Sequence, residues 1–178
     1  MPRNIEIKAR IDSVEALLVR ARALADDPPQ VILQDDTFFA CTHGRLKLRD
    51  FGDGSGELIH YERADAEGPT RSDYICVATS DPAALRDALA GALGAAGRVR
   101  KTRLLLLAGQ TRIHLDRVEG LGDFLELEVV LRDGQDEAEG AAIADALCAQ
   151  LGVAPRQRLA SAYLDLLLSS AAGMASAR

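Results

Sequence analysis

Cysteine is sparse in this 178-residue chain and poorly placed for chemistry. The three present, Cys41, Cys76 and Cys148, are odd in number, far apart, and without metal-ligand or redox spacing. They read as reduced thiols, which implies a cytoplasmic protein. Long apolar runs are missing too. The opening Met1-Pro2-Arg3-Asn4 leads straight into an alternating segment with no signal-peptide core, and Leu164 to Leu168 is far too short to span a membrane. Nor is there an excess of base: 21 Lys and Arg against 27 Asp and Glu give a formal charge of -6. That argues against nucleic acid or an acidic membrane as partner. No Ser, Cys or His nucleophile is evident, and no repeat, linker or low-complexity block divides the chain. Gly52 to Gly56 precedes a strand instead of a helix, so it reads as a turn and not a phosphate loop.

With 48% apolar residues, the chain is expected to form one globular domain over 1–169, followed by a disordered small-residue tail at 170–178. Residues 3–11 alternate strictly and predict a half-buried strand. A helix follows, with Asp12 as its cap, Glu15 three places on, and Val14, Leu17, Leu18, Ala21 and Leu24 at helical spacing. Strands are expected near 31–41, 45–51, 57–63, 73–79, 98–108, 110–118 and 122–132, broken by Gly-rich turns. Asp81-Pro82 opens a second helix, a third runs from about Asp136 to Leu151 before Gly152, and a last helical segment covers roughly 157–169. Eight strands with short turns and a few helices predict an antiparallel α+β domain.

Strand residues two apart share a face, and on that basis the charges gather. Glu6, Lys8 and Arg10 lie together; so do Arg45, Lys47 and Arg49; Lys101 and Arg103; Arg112, His114 and Asp116; Glu126 and Glu128. Alternation by itself is what any sheet with one solvated face shows. Like charges two apart repel, however, and they make sense where ligands of opposite sign compensate them. The apolar stripes of the helices need the apolar strand face, which turns the charged face inward and makes it the lumen of a closed barrel. Clustered bases suit a polyanion, and a few carboxylates suit Mg2+ or Mn2+. His114 reads as a hydrogen-bonded structural histidine before a catalytic base.

The Glu6-Ile7-Lys8 strand, Leu46-Lys47-Leu48-Arg49, Lys101-Thr102-Arg103 and Phe124-Leu125-Glu126-Leu127-Glu128, in this order and through to Ala162–Leu167, resemble the CYTH superfamily of triphosphate tunnel metalloenzymes. That family includes class IV adenylyl cyclases and thiamine and inorganic triphosphatases. The resemblance implies an eight-stranded antiparallel tunnel with helices outside. It implies metal at Glu6, Glu126 and Glu128 with Asp116 nearby, and phosphate contacts from Lys8, Lys47, Arg49, Lys101, Arg103 and Arg112, to which Arg10 and Arg63 are added. Glu126, Glu128 and Lys8 are the expected catalytic residues. Two positions depart from the family pattern. Asn4 stands where its Glu-x-Glu-x-Lys signature begins with Glu, and Tyr61-Glu62-Arg63 stands where a lysine is frequent; Arg63 would keep the charge but not a titratable group. Three activities are compatible: a metal-dependent phosphohydrolase acting on a triphosphate, an adenylyl cyclase, and a polyphosphate-binding module. The oligomeric state is open, a homodimer included.

Overall fold

The computed structural model describes residues 3–63 and 68–176, the side chains of Arg63 and of residues 173–176 excepted. Its elements, in chain order, are β1 (Arg3–Arg10), α1 (Val14–Leu24), β2 (Gln30–Phe39), β3 (Arg45–Asp50), β4 (Gly56–Arg63), β5 (Thr70–Thr79), α2 (Pro82–Leu93), β6 (Ala95–Ala108), β7 (Thr111–Val118), β8 (Gly122–Val130), α3 (Glu137–Leu151) and α4 (Tyr163–Ser176). The strands close into a barrel in the order β1-β5-β4-β3-β2-β6-β7-β8, and every pairing is antiparallel. The α+β tunnel is therefore the observed fold.

Packing explains which face turns out. Ile5, Ile7 and Ala9 of β1, Ile113 and Leu115 of β7, and Leu125, Leu127 and Val129 of β8 form one buried cluster with Val14, Leu17 and Ala21 of α1 and Ala144, Cys148 and Leu151 of α3. The apolar side of these strands is thus outside, under helices, and their charged side is inside. The cover is partial: Val31 and Leu33 on β2, and Ile75 and Val77 on β5, stand 51 to 68% exposed.

Helix ends differ in detail from expectation. Ser13, not Asp12, caps α1, its hydroxyl accepting from the Ala16 amide. Asp136 caps α3 through a reciprocal capping box with Glu139, and Gly152 ends that helix in the left-handed region at φ 74°, where a residue without Cβ is unstrained. The last helix starts at Tyr163, later than expected. The preceding chain is pinned to the barrel instead: Arg158 bridges Ala9, and the Leu159 amide donates to the Lys8 carbonyl. The helix then runs on to Ser176, so most of the tail expected to lack order is helical. It is rich in Ala, the best helix former; Ala177 and Arg178 lie outside the described residues.

Candidate functional site

The barrel holds a cavity of about 450 Å³ lined by Glu6, Lys8, Lys47, Arg49, Lys101, Arg103, Arg112, His114, Glu126 and Glu128, with Tyr163 and Ala162 on its wall. The C-terminal segment supplies part of that wall. Tyr163 packs edge-on against Phe124 with centroids 4.9 Å apart, and Asp165 takes a forked ion pair from Arg45 at 2.7 and 3.1 Å.

Two buried aspartates organise the bases. Asp116, 0% exposed, accepts from Arg103 Nε at 2.7 Å through Oδ1. Its Oδ2 accepts from Arg103 Nη2 at 2.7 Å, Lys101 Nζ at 2.8 Å and the Tyr163 hydroxyl at 3.0 Å. Asp36, 3% exposed, likewise takes Arg49 through two bonds of 2.8 Å and Lys47 Nζ at 2.8 Å. Burial pushes both carboxyls up, but Arg103 and Lys101 around Asp116, and Lys47 and Arg49 around Asp36, hold them far below the usual carboxylate range. Burial and then the adjacent Arg103 push the Lys101 ammonium down to about 8. Lys8 Nζ stands 4.2 Å from the centroid of the Tyr163 ring, a favourable cation–π distance.

The carboxylates gather across β1, β8 and β7. Glu6 is opposite Glu128, and Lys8 opposite Glu126; Arg112 is opposite Glu128, and His114 opposite Glu126. Glu126 accepts from Arg103 at 2.8 Å and Glu128 from Arg112 at 3.2 Å. Burial raises the pKa of Glu126, but Lys8 and Arg103 carry it well below normal. Burial and Arg103 push His114 down to about 4, so its imidazole is neutral at neutral pH. As these side chains stand, no group of three His, Cys, Asp or Glu among the described residues encloses one metal position. Asn4, 2% exposed and on the cavity wall, has a buried Oδ1 without a hydrogen-bond partner.

Nine of the twelve metal, phosphate and catalytic residues expected from the sequence thus share one cavity. Asp116 is not among the cavity lining: both its oxygens are engaged by Lys101, Arg103 and Tyr163. Arg10 is not among the cavity lining either: it is exposed, donates to the Leu121 carbonyl at 2.9 Å and lies over the Phe124 ring. The Arg63 side chain lies outside the described residues. Asp36, Glu57 and Tyr163 were not read from the sequence. The inward bases are therefore compensated in large part by acids of the chain itself, and the signs are less segregated than the strand faces suggested.

A closed antiparallel tunnel with an ionic interior and helices outside defines a class of protein. The CYTH domain profile matches residues 2–163, and the chain belongs to that family. Similar solved structures include the PH1012 protein of Pyrococcus horikoshii (TM-score 0.83, 22% identity, 92% of this chain and 98% of that one). A candidate adenylate cyclase of Vibrio parahaemolyticus is also similar (0.76, 17% identity, 92% and 97%). So is HpAC1 of Hippeastrum, a candidate adenylyl cyclase described as having a dominant triphosphatase activity (0.68, 16% identity, 96% and 96%). At these identities the likeness is one of fold. No curated protein matches the sequence. Among the described residues no helix is long and apolar enough to cross a membrane.

Proposed function

We propose that this protein is a divalent-metal-dependent phosphohydrolase acting on inorganic triphosphate, thiamine triphosphate or a nucleoside triphosphate. The observation that carries the reading is the pair of buried aspartates that hold Lys47 and Arg49, and Lys101 and Arg103, on one cavity wall. Each arginine gives two of its five N–H donor positions to its aspartate's fork, which fixes the guanidinium plane and leaves donors for phosphate oxygens. Phosphoryl transfer rests on positioning and electrostatics, so no nucleophilic side chain is needed.

Mg2+ or Mn2+ would be held by Glu6, Glu126 and Glu128. These are hard oxygen donors on adjacent inner faces, and the orphaned Asn4 Oδ1 is a further oxygen that a cation satisfies. When bound, the ion polarises a phosphoryl oxygen and orients the attacking water. A cation on Glu126 and Glu128 would draw charge from their pairs with Arg103 and Arg112 and so leave both guanidinium groups more available to phosphate. Lys8, beside Glu126 and over Tyr163, stabilises charge that develops on the transferred phosphoryl group. Ile32, Phe51 and Leu105 give the cavity an apolar wall as well, which favours adenylyl cyclase as the second reading.

Product analysis separates the readings. With Mg2+ or Mn2+ and each triphosphate in turn, release of orthophosphate supports the hydrolase. Cyclic AMP with pyrophosphate makes it a cyclase, and tight binding with neither product makes it a binding module. Glu126→Ala and Glu128→Ala are expected to abolish metal-dependent turnover with the fold retained; full activity in either at limiting metal removes the carboxylates from the site.

A further inference from the structure

His114 is a second kind of donor in the acidic sector. It is 3% exposed and lies on the cavity wall, yet its Nδ1 is buried without a hydrogen-bond partner. Buried polar atoms are nearly always satisfied, so an orphan on the wall of a polar cavity is a place for water or for a ligand that binds there. The neighbours narrow what that ligand is. Register places His114 directly opposite Glu126, with Glu128 two residues along the same inner face. Arg112 takes Glu128 Oε2 at 3.2 Å, while Glu128 Oε1 faces His114 Nδ1 at 3.8 Å. That separation is too long for a hydrogen bond. It is right for two donors on one ion, since ligands bonded at roughly 2.1 Å each stand about 3 to 4 Å apart.

We propose that His114 Nδ1 and Glu128 Oε1 share a divalent cation, so that the site has a mixed nitrogen and oxygen donor set and prefers a first-row transition ion such as Mn2+ to Mg2+. The inference rests on the reading of the glutamates as a metal site and goes beyond it in naming an imidazole ligand. An all-oxygen set suits Mg2+, whereas imidazole nitrogen is a poor donor to Mg2+ and a good one to transition ions. His114 would thus set metal choice, while the carboxylates supply charge.

The test uses the full chain with Mn2+ alone, so that it does not depend on turnover. Pulsed EPR of the Mn2+ protein is expected to show coupling to a directly bound nitrogen, changed in the predicted way when histidine is labelled with 15N and lost in His114→Gln. In the same variant the ratio of Mn2+ to Mg2+ affinity is expected to fall by about tenfold, with an imidazole replaced by an amide oxygen. Because the spectrum is taken on the unsubstituted protein, the result stands even if the variant folds poorly. Bound Mn2+ without nitrogen coupling overturns the His114 assignment and leaves the carboxylate site standing. Failure of Mn2+ to bind, in wild type and in Glu128→Gln alike, removes the metal site itself and this inference with it.

Discussion

Both oxygens of Asp116 are committed to Arg103, Lys101 and Tyr163, and that makes it a positioning residue. Asp116→Asn leaves two buried cations short of a counter-charge. Apo stability is expected to fall by about 3–5 kcal/mol, the scale of a broken buried ion pair, while Mn2+ affinity changes little; denaturant unfolding and metal titration read the two effects separately. A large loss of metal affinity with unchanged stability would return Asp116 to the metal. Lys101 carries the pH dependence. Its pKa is depressed from 10.5 to about 8 in the folded protein, so from pH 8 to 10.5 the unfolded chain binds more protons. Apo stability therefore rises with pH across that window. Anion affinity is expected to run the other way, because the ammonium proposed to grip phosphate is lost: metal-free triphosphate binding should weaken up to about tenfold per pH unit above 8. Flat affinity through that range places Lys101 away from the anion. Most cavity residues were legible because β1, β3, β7 and β8 alternate charge with apolar residues. Asp36 was not, because β2 mixes both kinds on both faces: Ile32, Gln34, Asp36 and Phe38 point in, while Val31, Leu33, Asp35 and Thr37 point out.

The helices settle onto the barrel through local signals where these exist and long-range contacts where they do not. The span of α3, from about Asp136 to Leu151 with Gly152 as its stop, was plain in the sequence. The cap of α1 was misplaced by one residue because Asp12 and Ser13 are both good caps, and only the observed hydroxyl contact to the Ala16 amide separates them. The start of α4 is delayed because residues 158 and 159 bond to β1, some 150 positions away, which no local pattern can reveal. Gly140 in α3 shows how close the helix lies to the sheet. A Cβ there would stand 2.7 Å from Ile5 Cγ1 and 2.6 Å from Leu131 Cδ2. Gly to Ala within a helix ordinarily stabilises by about 1 kcal/mol. Here Ile5 is 2% exposed and has little room to yield, so Gly140→Ala is expected to destabilise by about 1–3 kcal/mol through overpacking. Thermal melts decide the sign, and a gain in stability would mean that α3 shifts outward freely.

At the scale of the whole molecule, the lumen is an internally balanced ionic cluster inside an acidic protein. Lys8, Lys47, Arg49, Lys101, Arg103 and Arg112 line the cavity with Glu6, Asp36, Glu57, Glu126 and Glu128, and Asp116 stands behind them. On the proposed function, such a cavity is stable empty and would accept a polyanion once a cation neutralises the glutamates. Asn4 sits where that balance can be tilted by one charge. It lines the cavity two residues from Glu6, is 2% exposed, and its Oδ1 has no partner. Asn4→Glu adds an anionic oxygen to a wall that already holds Glu6 opposite Glu128. Without metal the extra carboxylate is buried among like charges, so the apo protein is expected to lose about 1–3 kcal/mol. With metal the same charge strengthens a hard-cation site, and the metal concentration for half-saturation is expected to fall on the order of tenfold. The two effects have opposite signs and one cause, so melting temperatures with and without Mn2+ should separate more widely in the variant than in the wild type. If neither quantity moves, Asn4 lies beyond the reach of the cation, and the glutamates hold a single ion without it.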